Sequence, residues 1–200
     1  MLNAEQKITV TGKYKPEEYI ERAMAMAEYY HKGQMRRGAE GELPYYDEHV
    51  LGVYKILREE CHITDADILT MALLHDTVED TECTFEEIEA CFGTEIMEQV
   101  KLLTRTSGET FSVYARRLFA NGTYKAILVK MADRLHNLRT ILYMPDKRWI
   151  EKKVRQTYTD ILNPLPETLK RINPIYNDII EKLADTIEEQ LIMIHNELDS

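Results

Sequence analysis

The chain has 200 residues, 44% of them hydrophobic and 30% charged, and a formal net charge of −10. That balance suits a globular protein with a substantial core and argues against a general nucleic-acid binder, while leaving room for a local basic pocket that takes a small anion. No apolar run approaches the roughly 18–20 residues that span a bilayer, and Cys61, Cys83 and Cys91, with no CxxC spacing and no signal peptide, predict free thiols in a reducing cytoplasm. Residues 1–15 are polar and read as a short arm. Pro16 suits the first turn of a helix that places Ile20, Ala23, Met24 and Ala27 on one face, with Gly33 as its stop. Residues 34–43 read as a glycine-punctuated, charged loop. The next helix starts near Pro44–Asp47 and carries Val50, Val53, Tyr54 and Leu57 as its stripe. Thr64 with Asp67 predicts a capping box for the helix that holds Ile68, Met71, Ala72 and His75. Thr84 with Glu87 predicts a second, opening a short helix that ends near Phe92-Gly93.

Residues 94–103 carry weaker helical spacing, and Ser107-Gly108 is a break. Residues 109–120 are helical in pattern and include Arg116-Arg117, and Asn121-Gly122 is a turn. The segment from Thr123 to Leu142 is strongly periodic through Leu128, Met131, Ala132 and Leu135, and Pro145 ends that region. A helix is predicted from Lys147 to Leu162, stopped by Pro164 and Pro166. Asn173-Pro174 opens a final helix over 174–198, with Ile180, Leu183, Ile187, Leu191 and Ile194 on one side. That stripe is expected to cover its own domain, ahead of contacting a second subunit in a homo-oligomer. Period-2 alternation is nearly absent, so the expectation is one all-α domain over residues 1–200, a helical bundle.

The segment His75-Asp76-Thr77-Val78-Glu79-Asp80 carries the chemistry. Glu79 lies one helical turn beyond His75, and Asp80 one turn beyond Asp76. Buried carboxylates need a cation, a partner or solvent, and acids late in a helix oppose its dipole. His49 shares the inward stripe of its helix, and Asp133 sits at the edge of the apolar face of the 123–142 helix. Two imidazoles and two carboxylates make a mixed N/O set suited to Mn²⁺, Fe²⁺ or Zn²⁺. A hydrogen-bonded core network is the alternative reading of the same residues.

The order His49, His75-Asp76, Asp133 resembles the HD superfamily of metal-dependent phosphohydrolases. Longer strings, Ala72-Leu73-Leu74-His75-Asp76-Thr77-Val78-Glu79-Asp80-Thr81 and Lys130-Met131-Ala132-Asp133-Arg134-Leu135-His136-Asn137-Leu138-Arg139-Thr140, resemble the hydrolase domain of Rel/SpoT proteins. His31-Lys32-Gly33-Gln34-Met35-Arg36-Arg37 and Pro44-Tyr45 resemble its opening motif. The resemblance implies a stand-alone small alarmone hydrolase, similar to the metazoan SpoT homologue in lacking a synthetase. Its reaction would be Mn²⁺-dependent 3′-pyrophosphate removal from guanosine 3′,5′-bis(diphosphate), giving GDP, or GTP from the pentaphosphate. By the same resemblance His49, His75, Asp76 and Asp133 would hold one ion. Glu79 and Asp80 would position and deprotonate water or protonate the departing oxygen. Arg36, Arg37, Tyr45 and Asn137 would contact the nucleotide, Arg36 against the base and Asn137 near the ribose.

Arg134 is expected as a structural partner of the acids, and Lys130 as a structural or phosphate-side charge. Arg116, Arg117, Lys153 and Arg155 are expected on a solvated face, with extension of the basic rim as the alternative. The chain departs from the family pattern at Gly38, at Val50 after the first histidine, at Thr157-Tyr158 and in a longer stretch between Arg36 and Pro44. These departures surround the nucleotide more than the metal, so an adenine alarmone, NADPH or a non-catalytic nucleotide sensor stays open as an alternative.

Overall fold

The computed structural model describes residues 16–39 and 41–199; the arm expected over residues 1–15 lies outside them. Helix α1 (Pro16–Tyr30) buries Ala23 and Ala27, and it packs on α3. Gly33 turns the chain after it with a φ of +84°, a conformation that only glycine adopts without strain. The stretch predicted as a loop is instead a hairpin, β1 (Met35–Gly38) against β2 (Gly41–Pro44), antiparallel, with Met35 opposite Pro44 and Arg37 opposite Glu42. Its strands are four residues long, with three charged residues and two glycines among the eight, so the alternation of exposed Met35 and Arg37 with half-buried Arg36 and Gly38 carries no apolar signature.

A π-helical turn over Tyr46–Val50 leads into α2 (Leu51–Lys55), the Leu51 N–H donating to the Tyr46 carbonyl five residues back. A second π turn, Ile56–Glu60, continues it. Helix α3 (Ala66–Leu74) is buried from Ile68 to Leu74. Its cap is Asp65, whose carboxylate accepts from the N–H groups of Asp67 and Ile68, so the predicted Thr64–Asp67 box does not form. A carboxylate there satisfies two free donors and faces the positive helix end. A short α4 (Thr77–Asp80) follows. The Thr84–Glu87 capping box opens α5 (Phe85–Phe92) as predicted.

Helices α6 (Thr94–Leu103) and α7 (Phe111–Asn121) precede α8 (Tyr124–Thr140), which Thr123 caps. A 3-10 turn, Ile141–Tyr143, ends α8 before Pro145; α9 (Lys147–Thr157) runs into a π turn over Tyr158–Leu162. Where Pro164 and Pro166 were expected to break the chain, α10 (Leu165–Arg171) begins. Both prolines fall at its start, where the missing N–H would have had no intrahelical partner. Asn173 caps a 3-10 turn at Pro174–Tyr176, and α11 (Asn177–Asp199) starts after it.

Helix α8 is central: Ile127, Leu128, Val129, Met131, Ala132, Leu135 and Leu138 are all buried, and α3, α6 and α11 pack on it. The α11 stripe of Ile180, Leu183, Ile187, Leu191 and Ile194 is buried within this same chain. The architecture is all-helical apart from the hairpin, and no helix among the described residues is long and apolar enough to cross a membrane.

Candidate metal centre

Three elements meet over the middle of α8: the π turn that carries His49, the end of α3, and α8 itself. Helix α3 stops at Leu74, and the chain turns through His75 and Asp76 before α4 restarts. Glu79 and Asp80 therefore lie in the first turn of a new helix, not late in α3.

His75 Nδ1 lies 2.7 Å from the Ala72 carbonyl. Only a protonated Nδ1 can donate there, which leaves the Nε2 lone pair facing inward. That Nε2 is 2.9 Å from Asp76 Oδ2 and 3.3 Å from His49 Nε2. His49 Nε2 is 3.3 Å from both Asp76 Oδ2 and Asp133 Oδ1, and Asp133 Oδ1 is 3.8 Å from His75 Nε2. Ligand atoms of His49, His75 and Asp76 all lie within 4.8 Å of one another, and Asp133 approaches the two imidazoles from α8. Outer contacts fix the acids. Tyr45 Oη donates to Asp76 Oδ2 at 2.5 Å, Lys130 Nζ to Asp133 Oδ2 at 2.7 Å, and Asn137 Nδ2 to Asp133 Oδ1 at 2.5 Å.

The electrostatics fit a divalent cation. Burial alone would lower the His75 pKa, yet the carboxylates of Asp76 and Asp133 hold it up at about 9. Burial would raise both acids, but Asp76 is held well below its ordinary range by His75 and His49, and Asp133 by Lys130 and the same imidazoles. Two ionised carboxylates around two inward Nε2 atoms form a site that a metal could occupy in place of a proton.

A pH dependence follows. A histidine whose folded pKa lies above its ordinary 6.5 stabilises the metal-free fold below pH 6.5 and loses that contribution as pH rises through about 9. The melting temperature of metal-free protein is expected to fall between pH 7 and pH 10. Saturating divalent ion should remove that fall, and ion affinity should rise with pH up to about 9. Scanning calorimetry with and without ion checks both; a metal-free melting temperature that stays flat would contradict the assignment.

Beside this His/Asp set Glu79 accepts from the Arg105 backbone N–H at 2.7 Å and pairs with its guanidinium at 3.2 Å. Burial, together with the charges of Asp76 and Glu79, pushes Asp80 up to about 6. Gln34 donates to the Asp80 carbonyl at 2.7 Å, tying the start of the hairpin to α4. Arg36 donates to Asn137 Oδ1 at 2.8 Å and to Thr140 Oγ1 at 3.0 Å, and its guanidinium lies 5.9 Å from the centre of the Tyr45 ring.

Most of these groups, though not His75 or Gln34, line one cavity of about 290 Å³. Asp76, Glu79, Asp80 and Asp133 contribute its acids; Arg36, Arg105, Lys130, Arg134 and Lys153 contribute cations, with Phe111 and Trp149 among them. A larger cavity of about 510 Å³, beside α10 and α11, contains none of the predicted site residues. The structure thus brings His49, His75, Asp76, Asp133, Glu79, Asp80, Arg36, Tyr45 and Asn137 together.

Arg37 is not among the cavity residues: it is exposed on the alternate strand position, opposite Glu42. Arg116 and Arg155 are exposed, and Arg117 pairs with Glu109. Lys153, expected on a solvated face, lines the cavity 5.2 Å from the centre of the Trp149 ring. Burial and the neighbouring Arg134 lower its pKa. Sequence reasoning also gave no role to Arg105, to Thr140 and His136, though both lie within the Lys130–Thr140 string, or to Gly52, one turn after His49.

The sequence model of the HD domain family matches residues 23–167. A Xenopus tropicalis protein described as guanosine-3′,5′-bis(diphosphate) 3′-pyrophosphohydrolase MESH1 is 41% identical over 133 residues, covering 64% of this chain and 72% of its own. A Danio rerio protein of the same description is 33% identical over 156 residues, covering 76% and 85%. Among solved structures, one described as a metazoan ortholog of SpoT that hydrolyzes ppGpp superposes with a TM-score of 0.65 at 26% identity, covering 94% of this chain and 98% of that one.

Proposed function

The chain belongs to the HD domain family, and we propose that it is a Mn²⁺-dependent guanosine 3′,5′-bis(diphosphate) 3′-pyrophosphohydrolase, yielding GDP and pyrophosphate, or GTP from the pentaphosphate. The descriptions of its relatives support the reaction. The observation that carries it to this chain is one cavity lined by His49, Asp76 and Asp133, with His75 against them, two further carboxylates and five cations. His49, His75, Asp76 and Asp133 would hold the ion, and a divalent ion there supplies a more acidic water and a polarised 3′-diphosphate.

The chain's own groups do the rest. Asp80, held near neutrality, accepts a proton from the attacking water, and Glu79, fixed by Arg105, orients that water. The water oxygen bonds to the phosphorus on the 3′ oxygen, and the bond to that oxygen breaks. The proton held by Asp80 then passes to the 3′ oxygen, so GDP leaves with a hydroxyl. Arg36, which Asn137 and the Tyr45 ring hold in the cavity, would lie against the base, with Tyr45 beside it and Asn137 at the ribose. Arg105, Arg134 and Lys153 repel one another in the free protein, and an anionic phosphate chain relieves that repulsion despite the net charge of −10. We place the enzyme in the cytoplasm, where Cys61, Cys83 and Cys91 stay as thiols. The reading takes residues 1–200 as one hydrolase domain and needs no second subunit for the site.

A nucleotide panel with the Mn²⁺-loaded protein tests the substrate. The guanine tetraphosphate should exceed its adenine counterpart and NADPH in kcat/KM by about tenfold or more. Preference for either of the others would move the assignment to that nucleotide, and turnover of none would leave only a sensor. Arg36→Ala should raise KM about 10- to 100-fold with kcat nearly unchanged, the loss expected for about 1.5–3 kcal/mol of charged hydrogen bonding in nucleotide binding. Steady-state kinetics separate the two constants.

A further inference from the structure

We infer that His136 is a positioning residue for the metal centre: it accepts the Nδ1–H of His49 and thereby fixes which nitrogen His49 presents, and at what angle. The inference rests on the metal-hydrolase reading above and adds a residue to it. His49 Nδ1 and His136 Nδ1 are 3.0 Å apart, and both side chains are buried. Two ring nitrogens at that distance need one proton between them: two protons clash, and two bare lone pairs repel.

The other face of His49 decides which ring supplies it. His49 Nε2 points at His75 Nε2, Asp76 Oδ2 and Asp133 Oδ1, each 3.3 Å away, where a bare lone pair is required to bind a cation. His49 therefore carries its proton on Nδ1. His136 Nδ1 is the acceptor, and the His136 proton sits on Nε2.

A second observation shows that the fold makes room for this ring. A Cβ at position 52 would lie 2.1 Å from His136 Nε2 and 2.3 Å from its Cδ2, so any residue but glycine must push the ring away. Gly52 stands one helical turn after His49. The turn that presents the ligand thus also leaves the gap for the residue that orients it. His136 in turn belongs to α8, the helix that supplies Asp133. Two ligands from distant parts of the chain are held in mutual register by one buried contact.

Mn²⁺ binding by titration calorimetry, with ¹⁵N NMR of the histidine rings, tests the assignment. His136→Phe keeps a ring but removes the acceptor, and should lower Mn²⁺ affinity about 10- to 100-fold. His136→Asn places an amide oxygen near the position of Nδ1 and should stay close to wild type. Gly52→Ala, which displaces the ring without touching its chemistry, should weaken binding as His136→Phe does. In Zn²⁺-loaded wild type the His136 ring should carry its proton on Nε2.

Wild-type affinity in His136→Phe, or a His136 protonated on Nδ1, overturns the inference while leaving the enzyme assignment standing. A wild-type protein that binds no divalent ion overturns that assignment itself. Should His136→Phe not fold, the wild-type ring spectrum alone decides.

Discussion

Asp76→Asn is expected to abolish tight Mn²⁺ binding and to lower kcat/KM by about three orders of magnitude or more, since the variant loses an anionic ligand and with it the charge stabilisation of the transition state. Asp76 Oδ2 stands at the junction of the site, 2.9 Å from His75 Nε2, 3.3 Å from His49 Nε2 and 2.5 Å from Tyr45 Oη. An amide in its place cannot carry the negative charge that offsets the cation. The metal-free variant should still fold. Its side chain is 21% exposed and Tyr45 can still donate to the amide oxygen, so the cost is limited to the lost attraction between the Asp76 carboxylate and His75. Asp133→Asn should show the same catalytic loss with a larger stability cost. It leaves Lys130 a buried cation without its anionic partner, a defect of about 3–5 kcal/mol in comparable pairs. Metal titration alongside thermal melts separates the two variants; normal Mn²⁺ affinity in Asp76→Asn would contradict the ligand assignment.

Asp80→Asn is expected to lower kcat about 10²- to 10⁴-fold with the ion still bound, the range in which a positioned proton acceptor contributes. Asp80 differs from Asp76 and Asp133 in its environment. Burial, with Asp76 and Glu79 beside it, raises it to about 6, so it is mostly ionised at neutral pH and yet basic enough to take a proton. A group that acts in its deprotonated form gives a rate that rises with pH through its own pKa and then levels. The acidic limb of kcat/KM should therefore lie at or below about 6, displaced downward once a cation sits nearby. That limb should disappear in Asp80→Asn. Glu79→Gln should lower kcat while leaving the limb in place, because its carboxylate is held by Arg105. A limb that survives in Asp80→Asn would pass the proton-accepting role to another group.

The helices were legible wherever apolar spacing was long, as in α8 and α11, whose buried faces follow the predicted stripes. Local chemistry also settled the Thr84–Glu87 cap. The errors have definite causes. The hairpin over residues 35–44 hid because its short strands offer no apolar alternation, and α10 hid because proline reads as a breaker even where a helix tolerates it. Asp65 and Thr64 are adjacent cap candidates, and only backbone geometry distinguishes them.

At the site, the order of His49, His75, Asp76 and Asp133 was readable from residue type and resemblance. Of the cation wall, Arg36 was readable, but Arg105 and Lys153 were not, nor were the contacts that hold them. Arg105 reaches Glu79 across 26 residues, and Arg36 reaches Asn137 across 101. Such contacts are products of the tertiary fold, with no signature in local spacing. Lys153 was misplaced for a related reason: α9 is so polar that its cavity face could not be told from its solvent face.

The central claim is that this cavity directs water onto the phosphorus joined to the 3′ oxygen of a guanosine bis(diphosphate). Hydrolysis of that nucleotide by Mn²⁺-loaded protein in H₂¹⁸O, with the products resolved by mass spectrometry, tests it most directly. The expected result is pyrophosphate carrying one ¹⁸O and GDP carrying none. Orthophosphate as the product, label in the nucleotide, or no turnover by protein shown to contain the ion would contradict it.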